Sequence, residues 1–355
     1  MTEQTQSEGR DRAAGQPADD VTVARRWPWP AGAATGIGSM PGGDVAEAQR
    51  IVLGELAVPH LPELPARGPG ADLVGRGAAL LVDLPVELYA ARWRIASRPG
   101  RDRRRALDLL ERDLDQMTEQ AGEFTGTFKI QAAGPFTLAA GIELPIGGRM
   151  LRDAGAVRDL AESLAEGLRE HVAQVRRRLP RADVLLQLDE PSLPAVLAGR
   201  VPTESGLGAY RPVETGTATG LLRTVVDAVG VPVVVHCCAP DVPLELVRAA
   251  GAVGVALDLA RVGDRLDPLG EAIDAGLGIV AGAVAALPPP SGRAPSSAQV
   301  ADRVRQLWDR LGFPRARLAE QVVVSPACGL AGATDAYARA VLAACRDAGR
   351  RLAEA

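Results

Sequence analysis

The chain has 355 residues, of which 47% are hydrophobic, 24% charged and only 3% aromatic, so a sizeable core is available and wholesale disorder is excluded. With 40 basic against 44 acidic side chains the formal charge is −4, which offers no electrostatic footprint for nucleic acid or an anionic membrane. Four cysteines in a chain of this length cannot be a disulfide scaffold.

Residues 1–26 are rich in Gln, Gly, Asp and Arg without an apolar period and are expected to form a disordered tail, leaving residues 27–355 as one domain. The tail lacks the apolar core of a signal peptide, and no later run is long and uncharged enough to span a bilayer. A cytoplasmic protein with reduced thiols is expected. From there, short Val/Ile/Leu/Ala runs alternate with stretches of helical period. Strands are predicted at 33–38, 79–83, 127–132, 183–188, 231–236, 253–258, 277–282 and 321–325. Helices are predicted at 45–56, 102–120, 157–178, 217–229, 243–250, 268–275, 298–311 and 335–353. In the third of these, Val157, Leu160, Leu164, Leu168 and Val172 recur at three- and four-residue steps and make one apolar stripe. The strands are nearly continuous apolar runs, as sheets covered on both faces require. Eight β-then-α units predict an α/β fold, a single (β/α)8 TIM barrel, with a doubly wound open sheet as the alternative. Residues 59–77, dense in Pro and Gly, and 287–297 (LPPPSGRAPSS) read as insertions or mobile loops.

Nearly every unusual polar residue lies at the downstream end of a predicted strand. The first strand runs into Gly38-Ser39, the fourth into Asp189-Glu190-Pro191, the fifth into His236-Cys237-Cys238, the sixth into Asp258 and the eighth into Cys328-Gly329. In a parallel barrel these ends share the face on which active sites are built. Alternation along an extended chain places His236 and Cys238 on one side and Cys237 on the other. With Asp258 and Cys328 they make an imidazole, two thiolates and one carboxylate, a set suited to four-coordinate Zn2+. The competing reading is packing, with the thiols as small buried hydrophobes and His236 as a satisfied core residue.

Asp189 reads either as a cap before Pro191 or as a carboxylate that binds the ammonium group of a small substrate at the rim. Gly38-Ser39 reads either as a turn or as N–H groups and a hydroxyl that hold a carboxylate. The spacing GIGSMPGG is not the G-x-G-x-x-G of a dinucleotide site. His60 and His171 lack clustered partners and read as structural, Cys237 and Cys345 as packing. Lys129 is the only lysine.

In order and spacing, Gly36-Ile37-Gly38-Ser39-Met40-Pro41, Gln187-Leu188-Asp189-Glu190-Pro191-Ser192-Leu193, His236-Cys237-Cys238 and Pro326-Ala327-Cys328-Gly329-Leu330 resemble the C-terminal catalytic barrel of the cobalamin-independent methionine synthase family. The likeness runs from about residue 33 to the C-terminus. It implies a (β/α)8 barrel with one zinc that binds the thiol of homocysteine, and an S-methyltransferase that makes methionine. Position by position, it implies that His236, Cys238 and Cys328 are zinc ligands, with Asp258 where the family usually has Glu. Asp189 matches the carboxylate that holds the homocysteine amino group, and Ile37, Gly38 and Ser39 match the turn that binds its carboxylate. Glu87 is the candidate for a second family carboxylate, after the second strand.

The partners implied are homocysteine and a methyl donor, either methyltetrahydrofolate or a corrinoid-bound methyl on a carrier protein. Full-length family members add an N-terminal barrel that helps to form the folate site, and 355 residues leave no room for it. Residues 278–286, GIVAGAVAA, also hold no acid where the family carries a histidine that protonates the departing folate nitrogen. A tertiary amine leaves badly without a proton, whereas a corrinoid-bound methyl needs none. Two further readings stand beside this one. The first is another thiol-directed enzyme of the same barrel superfamily, which includes uroporphyrinogen decarboxylase-like proteins. The second is a zinc- or thiol-binding protein without turnover.

Overall fold

Valine runs such as 233–235 and 322–324 carry β-branched side chains on both faces, so they favour extended chain and need cover on both sides. The computed structural model, which describes residues 27–264 and 266–354, places each of these runs in a strand buried on both faces. The expectation of a disordered tail over residues 1–26 lies outside the described residues.

In chain order the elements are α1 (Val45–Glu55), α2 (Leu73–Ala79), β1 (Val86–Tyr89), β2 (Arg92–Ile95), α3 (Arg101–Ala121), β3 (Gly126–Ala133), α4 (Pro135–Gly141), β4 (Ile142–Glu143), α5 (Ala154–Arg178), β5 (Ala182–Asp189), α6 (Leu193–Leu197) and α7 (Thr215–Val229). They continue with β6 (Val233–Cys237), α8 (Leu244–Ala249), β7 (Gly254–Asp258), α9 (Asp267–Asp274), β8 (Gly278–Val284), α10 (Ser297–Leu311), α11 (Arg315–Gln321), β9 (Val322–Pro326) and α12 (Asp335–Ala353). None of the described helices is long and apolar enough to cross a membrane.

The fold is α/β, with a curled sheet of six parallel strands in the order β3-β5-β6-β7-β8-β9. Two extended segments continue it at its edges. Residues 33–39 follow β9 through a bridge between Ala34 and Val324, and residues 58–63 follow β3 through a bridge between His60 and Lys129. The two segments also meet each other, through a bridge between Ser39 and Glu63. The predicted strand at 33–38 is therefore an extended segment rather than a regular strand.

The predicted strand at 79–83 is not formed. Ala79 ends α2 and Asp83 lies in the bend that follows. The second strand position is taken instead by residues 58–63, inside the stretch predicted to be an insertion, and residues 58–64 are all buried. Pro59 and Pro62 have no N–H to give, so the segment bonds only where its neighbours can use what remains. Leu61 N–H donates to the Lys129 carbonyl at 3.0 Å, and Lys129 N–H donates to the Pro59 carbonyl at 2.8 Å.

Side chains alternate across the sheet. The outward set packs under the helices in the main core, where Phe128, Ile130, Leu186, Val235 and Val255 meet the stripes of α3, α5 and α7. The inward set closes the floor of the curl with Leu185, Val234, Ala256, Val280 and Val323, plugged from the N-terminal side by Trp27 and Trp29. Gly278 admits that plug, since a Cβ there would lie 2.4 Å from Trp29. Two residues further along β5, β6, β7 and β9 the same alternation brings the polar residues Gln187, His236, Asp258 and Ser325.

Candidate metal centre and amino-acid site

β5 and β6 pair in register with Asp189 opposite His236. Their side chains meet, and His236 Nδ1–H donates to Asp189 Oδ1 at 2.8 Å, with both residues buried. Gln187 Nε2 donates to the same oxygen at 2.7 Å and to the Ile37 carbonyl at 2.8 Å. The carboxylate thus fixes the ring and its tautomer, and leaves His236 Nε2 buried with no hydrogen-bond partner among the described residues.

Two thiols lie next to that ring. Cys238 and Cys328 Sγ are 3.4 Å apart, and one ligand atom from each of His236, Cys238 and Cys328 falls within 4.8 Å of the others. Cys237 points to the opposite side of β6 and is fully buried, where burial pushes its thiol up to about 12. The hydrogen bond between Cys238 and Cys328 pulls Cys328 down and pushes Cys238 up, so the pair gives up its first proton easily and holds its second. An unpartnered imidazole nitrogen facing two thiols is a borderline-soft donor set, and it fits zinc.

Asp258, at the end of β7, lines a cavity of about 770 Å3 together with Cys238, Cys328 and the residues that follow β8. Its carboxylate does not join the three-residue group. It accepts from Ala260 N–H at 2.9 Å and lies 3.4 Å from Arg261 Nε.

The turn at Ile37-Gly38-Ser39 sits on a buried polar layer. Lys129 Nζ donates to the Ile37 carbonyl at 2.8 Å, alongside Gln187. The Gly38 carbonyl accepts from Glu63 N–H at 3.1 Å and lies 3.2 Å from His60 Nε2. Burial, with the Lys129 charge beside it, holds the His60 imidazole well below its usual value, so the ring is neutral and Nε2–H is the donor. Close approach requires glycine at this turn, because a Cβ at Gly36 would stand 2.3 Å from His60 and one at Gly38 would stand 2.9 Å from Gln131. His60, expected to be purely structural, therefore supports the turn, whereas His171 lies buried on α5, away from it.

The structure separates Glu87 from this cluster. Glu87 belongs to the β1–β2 hairpin, where it pairs with Arg94 at 2.5 Å. Glu63, at the end of the second extended segment, stands there instead. It bridges Ser39, lies 3.5 Å from Arg76 Nε, and feels the Asp189 charge; burial raises its carboxyl to about 7. Glu63, Lys129, Gln131 and Gln187 were not singled out as site residues by motif. The signal available was a lone lysine and two glutamines inside otherwise apolar strand runs, and an acid between two prolines.

Residues 32–351 match the family model described as the cobalamin-independent synthase catalytic domain. A search of curated proteins returns no match. Among solved structures, a B12-independent methionine synthase from Shewanella sp. W3-18-1, in complex with selenomethionine, aligns over 90% of this chain and 97% of its own, with a TM-score of 0.56 and 12% identity. A protein from Pseudomonas aeruginosa described as a dihydrodipicolinate synthetase aligns over 91% of this chain and 80% of its own, with 11% identity and a TM-score of only 0.37.

Proposed function

Since the chain belongs to the family of cobalamin-independent synthase catalytic domains, whose members are methyltransferases, we propose that it transfers a methyl group to the thiol of homocysteine to give methionine. We read the curled sheet and its two edge segments as one (β/α)8 barrel over residues 27–355, with the strand ends as the active face. The observation that carries the reading is the group of buried His236 and half-buried Cys238 and Cys328, with Asp189 behind the imidazole.

His236, Cys238 and Cys328 would hold zinc, with Asp258 as the fourth ligand once its side chain leaves Arg261. Bound there, zinc would keep the substrate thiol deprotonated at neutral pH. The chain's own residues do the rest. Ser39 and the N–H groups of the Ile37–Ser39 turn hold the homocysteine carboxylate, and Asp189 and Glu63 take its ammonium group. The cavity beside Cys238 and Cys328 admits the donor.

As the S–C bond forms, the donor–methyl bond breaks and its electron pair stays with the donor. From the β8 side the cavity is lined by Gly282, Ala283, Val284, Ala285, Ala286 and Leu287, which supply no proton. That favours a donor whose leaving group departs unprotonated, as a corrinoid-bound methyl does, over methyltetrahydrofolate. The reaction would take place in the cytoplasm.

Zinc-loaded protein is to be incubated with homocysteine and either methylcobalamin or methyltetrahydrofolate, and methionine measured. The expected result is methionine from wild type and none from Asp189→Ala. A protein that binds no zinc, or that forms no methionine with either donor, would overturn the reading.

A further inference from the structure

Every cation in this chain but one is an arginine, and the exception, Lys129, is among its most deeply buried side chains at 1% exposure. A buried ammonium group is costly unless something compensates it. Lys129 Nζ makes two hydrogen bonds, to the Ile37 carbonyl at 2.8 Å and to Gln131 Oε1 at 3.4 Å, both neutral acceptors. Among the described residues it forms no ion pair, although the Asp189 and Glu63 charges act on it across the layer.

The bond to Ile37 has a geometric consequence. A trans peptide is planar, so its C=O and the following N–H point in opposite directions. With the Ile37 carbonyl held by Lys129 and Gln187, the Gly38 N–H points away from both side chains. The Gly38 carbonyl is held by Glu63 N–H and His60, which turns the Ser39 N–H away from them. Neither the Gly38 nor the Ser39 N–H has a hydrogen-bond partner among the described residues. Two adjacent N–H groups without partners, next to a buried cation, are donors free to receive an anion.

We propose that Lys129 is a positioning residue for the carboxylate of the amino-acid thiol: it aims the Gly38 and Ser39 N–H groups and supplies, from beneath the turn, the positive charge that the ligand carboxylate neutralises. This rests on the reading of the site as an amino-acid thiol site. Burial brings Lys129 down to about 8, with Asp189 and Glu63 opposing, so the group is still mostly charged at neutral pH.

The test compares homocysteine with 3-aminopropane-1-thiol, which is the same molecule without its carboxylate, by isothermal titration into zinc-loaded protein at neutral pH. Wild type is expected to prefer homocysteine. Lys129→Met is expected to lose about tenfold or more in homocysteine affinity, to bind the carboxylate-free thiol within about twofold of wild type, and to keep its zinc. Lys129→Arg, which keeps a cation, is expected to retain the preference, and Lys129→Gln carries the comparison if Lys129→Met does not fold. Equal loss for both thiols, or no loss for either, overturns the role of Lys129 while leaving the substrate assignment intact. Zinc-loaded wild type that shows no preference overturns the substrate assignment and the role of Lys129 together.

Discussion

Asp189 Oδ1 lies 2.8 Å from His236 Nδ1 across adjacent strands of the sheet, and the other ring nitrogen of His236 is buried without a partner. A carboxylate on one side of an imidazole fixes its tautomer and raises its basicity on the other. Asp189→Asn should therefore weaken zinc by about 10- to 100-fold even though Asp189 is no ligand itself. Competition with a chromophoric chelator measures this, and unchanged affinity would show that the pair does not act on the metal.

The two thiols answer a more direct question. Cys238 and Cys328 stand 3.4 Å apart just beyond the ends of strands β6 and β9, brought together from 90 positions apart in sequence. Cys328→Ser and Cys238→Ser should each abolish stoichiometric zinc, whereas Cys237→Ser, on the opposite side of β6, should leave zinc content as in wild type. Metal analysis of the three purified variants decides it.

Gly329 packs against Ser39, the serine of the proposed carboxylate-binding turn. A Cβ added there would stand 2.0 Å from Ser39 Oγ, closer than any real contact, so the serine must move. Gly329→Ala should lower homocysteine affinity by about tenfold while zinc stays bound, a split that titration calorimetry and metal analysis resolve together. Retained affinity would remove Ser39 from the carboxylate site.

His171, buried on α5, reports on stability and not on catalysis. Burial, followed by the nearby Arg76 charge, lowers it to about 4 from an ordinary 6.5. The folded chain then binds fewer protons than the unfolded chain across that interval, so this contribution is complete above pH 6.5 and is lost as pH falls through 4. Urea midpoints should fall over this window. His171→Leu should remove on the order of 3 kcal/mol of this pH-dependent stability, summed over the window, and His60, lowered in the same sense, should account for a residual slope.

The parts of this protein that follow local rules were legible in its sequence. β3 and β5 to β9 coincide with six of the eight predicted strands to within two residues at either end, because uninterrupted apolar runs have few alternatives. The stripe from Val157 to Val172 lies buried along α5 as its period requires. The second strand position failed for an equally physical reason. Pro59 and Pro62 make residues 58–63 read as a loop, while the apolar run at 79–83 mimics a strand although its first residue closes a helix. The same displacement moves the acid at that position: Glu87 follows the predicted strand at 79–83 and lies in the β1–β2 hairpin, whereas the segment at the second position, residues 58–63, ends in Glu63. Strand periodicity also placed His236 and Cys238 on one side, but it carried no information on the Asp189 hydrogen bond, which depends on register between strands.

Asp258 and Arg261 give the last prediction. In the structure Asp258 accepts from Ala260 N–H at 2.9 Å and has Arg261 Nε at 3.4 Å, so ligating a metal costs it a partly exposed ion pair. If Asp258 completes the zinc shell, the arginine competes with the metal for one carboxylate. Arg261→Ala should then tighten zinc by about two- to fivefold, and Asp258→Ala should weaken it by about tenfold or more. Combined in one protein, the two changes should weaken zinc only as much as Asp258→Ala alone, because the arginine acts on the metal solely through Asp258. Additive effects in that cycle would place the fourth ligand elsewhere.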